Sequence, residues 1–230
     1  MLGTVVNMAA VIIGAAIGVI LRKGISERYK NVIMQGIGLA VALIGLKMAL
    51  KTNNELIVIS SLALGGILGE TLNVDRMLES LGTRLQNLFA ADDGDFVKGF
   101  VTSSLIFCVG AMSIMGSLES GLTGQHRILF AKSVLDGITA IVFGSTMGWG
   151  VVFSGVSVFI YQGSITLLAG AVKAFITEAV LAEMTATGGL LILAVSSNIL
   201  GIKQFNVANL LPAIFVAIML ASITAGASAF

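Results

Sequence analysis

Along most of this chain the apolar residues do not alternate with polar ones. They run in blocks of about 20, the length at which a helix crosses a hydrocarbon core of about 30 Å. The blocks are Leu2 to Leu21, Val32 to Leu50, Leu56 to Gly69, Phe96 to Leu118, Ile128 to Met147, Val151 to Leu168, Gly188 to Ile202 and Leu210 to Ala229. Two intervening stretches have a helical period instead. From Leu72 to Phe89, Val74, Met77, Leu78, Leu81, Leu85 and Leu88 recur every three or four positions, with Asp75, Arg76, Glu79 and Arg84 opposite them. From Val172 to Met184, Val172, Phe175, Ile176, Ala179 and Val180 do the same against Lys173, Glu178 and Glu183. Such a stripe suits a helix lying in the membrane interface. The pattern predicts an all-α polytopic membrane protein, a single transmembrane domain over residues 1–230, with about eight spans and two interfacial amphipathic helices.

Two of the blocks are interrupted at matching places. The run from Leu105 to Gly116 is broken by Gly110, Ser113 and Gly116, and the run from Leu190 to Gly201, 85 positions later, by Ser196, Ser197 and Asn198. Both are predicted to be broken helices, because a break frees backbone groups that are tolerated at membrane depth only where they line a cavity. The order span, span, amphipathic helix, broken span occurs over 32–118 and again over 128–202, with Gly36 matching Gly137, and Gly65-Gly66 matching Gln162-Gly163. Three spans per copy is an odd number. The second copy is therefore expected to cross the membrane inverted relative to the first, as in many alternating-access transporters.

Composition agrees with this reading. The chain is 57% hydrophobic and 11% charged, against about 25% charged in soluble domains. Its 28 glycines and single Pro212 imply helix irregularity and close packing set by glycine, as in Gly14-Ala-Ala-Ile-Gly18 of the first block. That block has no basic region before it, so it is expected to stay as a span. Four basic residues in the nine from Arg22 to Lys30 place the following loop in the cytoplasm and both termini outside. Counted over all spans, eight basic residues fall inside and five outside. The acidic turn Asp92-Asp93-Gly94-Asp95 reads as a solvated loop rather than a metal site, and the lone Cys108 as a packing residue.

An ionisable group at membrane depth is a functional candidate, because its insertion costs at least about 2.5 kcal/mol. Asp136 is the strongest, too deep for its short side chain to reach water, with Lys132 one turn earlier at ion-pairing distance. Gln162 and Asn198 are amides at depth, suited to a cation or a polar solute; Ser113, Gly110 and Ser197 lie at the interruptions. Glu70 and Lys47 fall near span ends, and the single His126 sits in a connector. There is no HExxH, no GxSxG elbow with a histidine partner, no Walker loop and no Cys/His metal spacing, so neither an enzyme nor a cofactor is expected.

Five stretches carry a family resemblance: Met1 to Asn7, Gly38 to Thr52, Phe107 to Leu118 around Gly110-Ala111-Met112, Ala131 to Gly137, and Tyr161-Gln162-Gly163-Ser164. Together they resemble the bacterial inner-membrane family called domain of unknown function 554, the YqgA-like proteins, over the whole chain. The resemblance implies a bacterial cytoplasmic membrane protein of the kind labelled as membrane transport proteins. It carries over no binding residue. The expected function is a secondary transporter of a small polar or ionic solute by alternating access, coupled to protons or sodium. Its partners are then the lipid bilayer and that solute, and not nucleic acid. The competing expectation is an oligomeric ion channel or passive pore assembled through the faces Gly14/Gly18, Gly65/Gly69 and Gly144/Gly148.

Overall fold

The architecture is that of a computed structural model, which describes residues 1–22, 27–77, 80, 83–84, 96–108, 111–172 and 176–227. Nine long helices are present among them: α1 (Leu2–Arg22), α2 (Glu27–Ala49), α3 (Glu55–Leu72), α4 (Phe96–Cys108), α5 (Ala111–Thr123), α6 (Arg127–Met147), α7 (Trp149–Leu167), α8 (Glu178–Leu200) and α9 (Pro212–Ala227). Seven helical segments are long and apolar enough to cross a membrane alone, and α4 with Met112–Thr123 forms an eighth candidate, bent by 60°. Large apolar side chains such as Ile20, Leu39, Ile59, Leu135, Ile160 and Phe215 stand exposed along these helices, a surface that only lipid covers without penalty. The protein is an all-α, multi-pass membrane protein.

The chain forms two units. Unit 1 comprises Met1–Ile33 and Glu79–Val172, and unit 2 comprises Met34–Leu78 and Lys173–Phe230. Unit 1 is assembled around α1 and α6, which lie backbone to backbone. A Cβ at Gly14 would fall on the Gly137 carbonyl, one at Gly18 on the Ile141 carbonyl, and one at Gly144 on the Ala15 carbonyl. These are the small-residue contacts that let apolar helices associate in lipid, where no hydrophobic force separates protein from solvent. A turn at Gly148, with φ 77°, joins α6 to α7, and Gly150 then packs on the Phe96 carbonyl at the start of α4.

In unit 2, α2 crosses α8 where Gly45 meets Gly189, and the Ser196 hydroxyl donates to the Gly38 carbonyl at 2.7 Å. α3 packs on α9 through Gly65 against Ala213, while Ile57, Val180 and Ala221 form a small core. Glu183 closes one end. It is 2% exposed, and its carboxylate accepts from Thr52 Oγ1 (2.5 Å), the Asn53 N–H (2.7 Å) and the Asn54 N–H (3.1 Å), tying the α2–α3 turn to α8. At the other end Asn209 donates to Glu70 Oε2 at 2.6 Å and accepts from the Asp75 N–H at 2.8 Å.

Helix direction within each unit tests the number of crossings. α1 and α6 run parallel, since Gly3 meets Leu129 and Gly18 meets Ile141. Both α4 and α5 run parallel to α7: Gly150 meets Phe96, Ser104 bonds Ser157, Ser113 bonds Gln162, and Gly121 meets Thr166. The bent pair therefore advances in one direction along a single neighbour and counts as one crossing. In unit 2, α2 runs antiparallel to α8 and α3 antiparallel to α9, as Gly38 with Leu200 and Gly69 with Asn209 require. With crossings numbered in chain order, parallel partners share parity (1 with 5, 4 with 6) and antiparallel partners do not (2 with 7, 3 with 8).

Three sequence expectations change. The second interruption is not a break: α8 is one helix from Glu178 to Leu200 and ends at Gly201, a left-handed cap with φ 68°. Its polar residues are spent without unwinding it, Ser196 across to α2 and Ser197 and Asn198 on the loop that follows. The second amphipathic stretch is not an interfacial helix. Ala169–Val172 forms a short helix, Lys173–Phe175 lie outside the described residues, and Glu178 to Met184 are the first turns of α8. Glu183 is buried there because three donors meet its charge. Finally, the glycine faces assigned to an oligomeric pore are occupied within the chain: Gly14, Gly18 and Gly144 in the α1–α6 contact, Gly65 and Gly69 against Ala213 and Asn209. Of the first amphipathic stretch, residues 74–77 are helical and most of the rest, with the acidic turn at 92–95, lies outside the described residues.

Candidate functional site

The middle of α6 carries the pair expected from the sequence. Lys132 Nζ stands 2.8 Å from Asp136 Oδ1 and 2.6 Å from Oδ2, and both residues are 7% exposed. The second hydrogen bond to the carboxylate comes from α1, where the Asn7 Nδ2 donates to Asp136 Oδ2 at 3.0 Å. The glycines of the α1–α6 contact bring Asn7 this close. Without a side chain between the backbones at Gly14 and Gly137, two short polar residues reach each other. The pair is formally neutral, which lowers the cost of keeping two charges away from water.

A second polar group lies at the bend. Ser113 Oγ donates to the Phe107 carbonyl at 3.0 Å, six residues back across the interruption, and so satisfies an acceptor there. Its oxygen accepts from Gln162 Nε2 at 3.5 Å, a long contact from α7. Thr4 of α1 and Thr166 of α7, whose hydroxyls lie 3.4 Å apart, are one turn away from Asn7 and Gln162 respectively. The cluster is under-satisfied. Among the described residues, Asn7 Oδ1, Ser117 Oγ and Gln162 Oε1 in unit 1 are buried with no hydrogen-bond partner, as are Thr185 Oγ1 and Thr187 Oγ1 on α8 in unit 2. Native interiors hold few such atoms, and each one asks for a ligand, a water or a functional reason.

The structure thus gathers Lys132, Asp136, Gln162 and Ser113 into one unit. Gly110 lies outside the described residues. Asn198 and Ser197 belong to unit 2, where Asn198 accepts from the Phe205 N–H at 2.7 Å and donates to its carbonyl at 2.9 Å, and Ser197 bonds both backbone groups of Lys203. These two amino acids close the end of α8, and their polar atoms are used in doing so. Two site residues were not picked out from the sequence. Asn7 had a signal, as the only strongly polar side chain of its span; Ser117 had none beyond its spacing of four from Ser113. His126 bonds Ser120 Oγ at 3.0 Å, apart from the pair, and Lys47 is exposed. Among the described residues no group of three or more His, Cys, Asp or Glu is placed to hold a metal.

A bundle of apolar spans, one bent and one carrying a neutral buried ion pair, defines a helical integral membrane protein with a polar interior. The chain belongs to the family described as protein of unknown function (DUF554), which matches residues 2–222. It is 37% identical over 220 residues to the uncharacterized membrane protein YdfK of Bacillus subtilis (strain 168), covering 94% of this chain and 93% of that one. It is 30% identical over 226 residues to the uncharacterized protein YqgA of Escherichia coli (strain K12), covering 96% of each. No solved structure matches the chain.

Proposed function

We propose that the protein is a secondary transporter of a small polar or ionic solute across the bacterial cytoplasmic membrane, coupled to a proton or sodium gradient, and that it performs no covalent chemistry. The observation that carries this reading is the Lys132–Asp136 pair buried in mid-span beside polar atoms without partners. A purely structural ion pair would be expected to have its surroundings fully satisfied, whereas a site that takes up and releases a ligand leaves acceptors waiting. The 60° bend between α4 and α5 makes this span one of the interrupted kind that transporter sites use.

The make-up of the two units supports an inverted repeat. With the copies taken as α2, α3, α4/α5 and α6, α7, α8, unit 2 combines α2 and α3 of the first with α8 of the second, and unit 1 combines α6 and α7 of the second with α4/α5 of the first. Each unit adds one flanking helix, α1 or α9. An exchange of third elements between copies is what a duplicated, inverted half would produce.

The test is reconstitution. Solutes that raise the melting temperature of the purified protein are offered to proteoliposomes, and uptake is expected to saturate and to collapse when the ion gradient is dissipated. Single-channel currents in place of saturable uptake would favour a pore. Orientation is tested separately: a reporter fused between α1 and α2 is expected in the cytoplasm and one after residue 227 in the periplasm. The basic residues around Arg28 motivate this expectation. A periplasmic signal from the first fusion would reverse the topology.

A further inference from the structure

Asn7 Oδ1, Ser117 Oγ and Gln162 Oε1 accept from no donor among the described residues, and all three residues are 0% exposed. The orientation of both amides follows from their partners. Asn7 spends its NH2 on Asp136 Oδ2, and a carboxylate only accepts, so Asn7 Oδ1 is turned away from the ion pair. Ser113 has given its proton to the Phe107 carbonyl, so it must receive from Gln162 Nε2, which turns Gln162 Oε1 aside as well. Flipping either amide would set oxygen against oxygen.

Helix register brings the three residues within about one helical turn of one another in unit 1. On α5, Ser113 meets Gln162 and Gly121 meets the Thr166 backbone, so Ser117, one turn from each on the same stripe, faces α7 between them. α1 meets α7 where Thr4 touches Thr166 and again where Ile12 packs on Gly155. Asn7 lies between those contacts on α1, as Gln162 does on α7.

We propose that these oxygens form a subsite for a dehydrated monovalent alkali cation next to the Lys132–Asp136 pair. They offer acceptors and no negative charge. That set suits a hard monovalent ion, since divalent ions recruit carboxylates. The one carboxylate in contact with Asn7 is already neutralised by Lys132 at 2.6 Å, so a divalent ion would leave twice the uncompensated charge in a low-dielectric interior. Binding stands on the geometry alone; the ion's role as coupling ion rests on the transport reading above.

The experiment uses the purified full chain, with choline chloride replaced by NaCl or KCl at constant ionic strength. Melting temperature is expected to climb with the logarithm of Na+ or K+ concentration, by about 3 °C per tenfold above the dissociation constant. Whichever salt acts identifies the ion. Ser117→Ala discriminates further. Ser117 Oγ has no hydrogen bond to lose, so in choline this variant melts no lower than wild type, while its response to the cation falls at least tenfold in apparent affinity. Gln162→Leu is expected to lose the response as well. Equal melting in all three salts would overturn the subsite, and so would an undiminished cation response in both variants. Cation-dependent stabilisation without flux of any solute would sink the transport reading alone, and flux without such stabilisation would sink the subsite alone.

Discussion

Asp136→Asn is expected to destabilise the protein by about 3–5 kcal/mol, the usual loss when one partner of a buried ion pair is removed and the other is left charged. Lys132 is 7% exposed one turn before the middle of α6, and its ammonium is paired with the Asp136 carboxylate at 2.6–2.8 Å. The new amide would also set its NH2 against a donor, since the oxygen atoms of Asp136 accept from both Lys132 and Asn7. The double variant Lys132→Met with Asp136→Leu removes both charges and keeps an apolar fill, so it is expected to recover most of the lost stability. What it does not recover separates the two roles. If the pair only holds α6 in place, the stable double variant transports as wild type does; if the pair serves the solute or its coupling ion, the variant folds and gradient-driven uptake stays absent. Melting temperature and proteoliposome uptake, read on the single and double variants together, decide between them.

The spans were legible because their cause is local. A block of about 20 apolar residues has one cheap solution in a bilayer, a helix that satisfies its own backbone. Asp136 and Lys132 were legible for a related reason: a charge in such a block needs a partner, and one helical turn away is the nearest place for it. Residues whose role depends on a partner far along the chain were harder to read. Glu183 looked like the polar face of an interfacial helix, and nothing near it in sequence announces the three donors at Thr52, Asn53 and Asn54 that allow its burial. The interruptions at Ser113 and Ser196 looked alike for the same reason. Each is a small hydroxyl in an apolar run, yet one donates to Phe107 within its own bent span and the other to Gly38 on another helix. A hydroxyl that finds a carbonyl on a neighbour leaves its own helix intact, and which carbonyl it finds is a property of the packing. Gly110 and Gly116 flank Ser113, whereas α8 has no glycine between Gly189 and its end, so the glycine spacing separates the two cases better than the hydroxyls do.

Replacing both Gly14 and Gly18 by alanine is expected to be the other most damaging change, with about 1–3 kcal/mol lost at each site through overpacking. At Gly18 the added carbon would meet the Ile141 carbonyl and lie 2.7 Å from the Ser145 nitrogen; at Gly14 it would meet the Gly137 carbonyl and lie 3.3 Å from the Ala140 Cβ. The obstacle is helical backbone on the partner, which cannot rotate aside as a long side chain would. α1 and α6 would have to separate, and the separation reaches the site. Asn7 sits two turns before Gly14 on the same helix and holds Asp136 across the contact at 3.0 Å, so moving the helices apart stretches that bond and exposes the ion pair. Gly36 is the control, because nothing lies within 4 Å of a carbon built there. Gly36→Ala is expected to be neutral or to stabilise α2 by up to about 1 kcal/mol through helix propensity. Yield and melting temperature of the folded protein in detergent check both expectations. If the double alanine variant melts with Gly36→Ala near wild type, α1 does not lie on α6 through its glycines, and the route by which Asn7 reaches Asp136 would have to be abandoned.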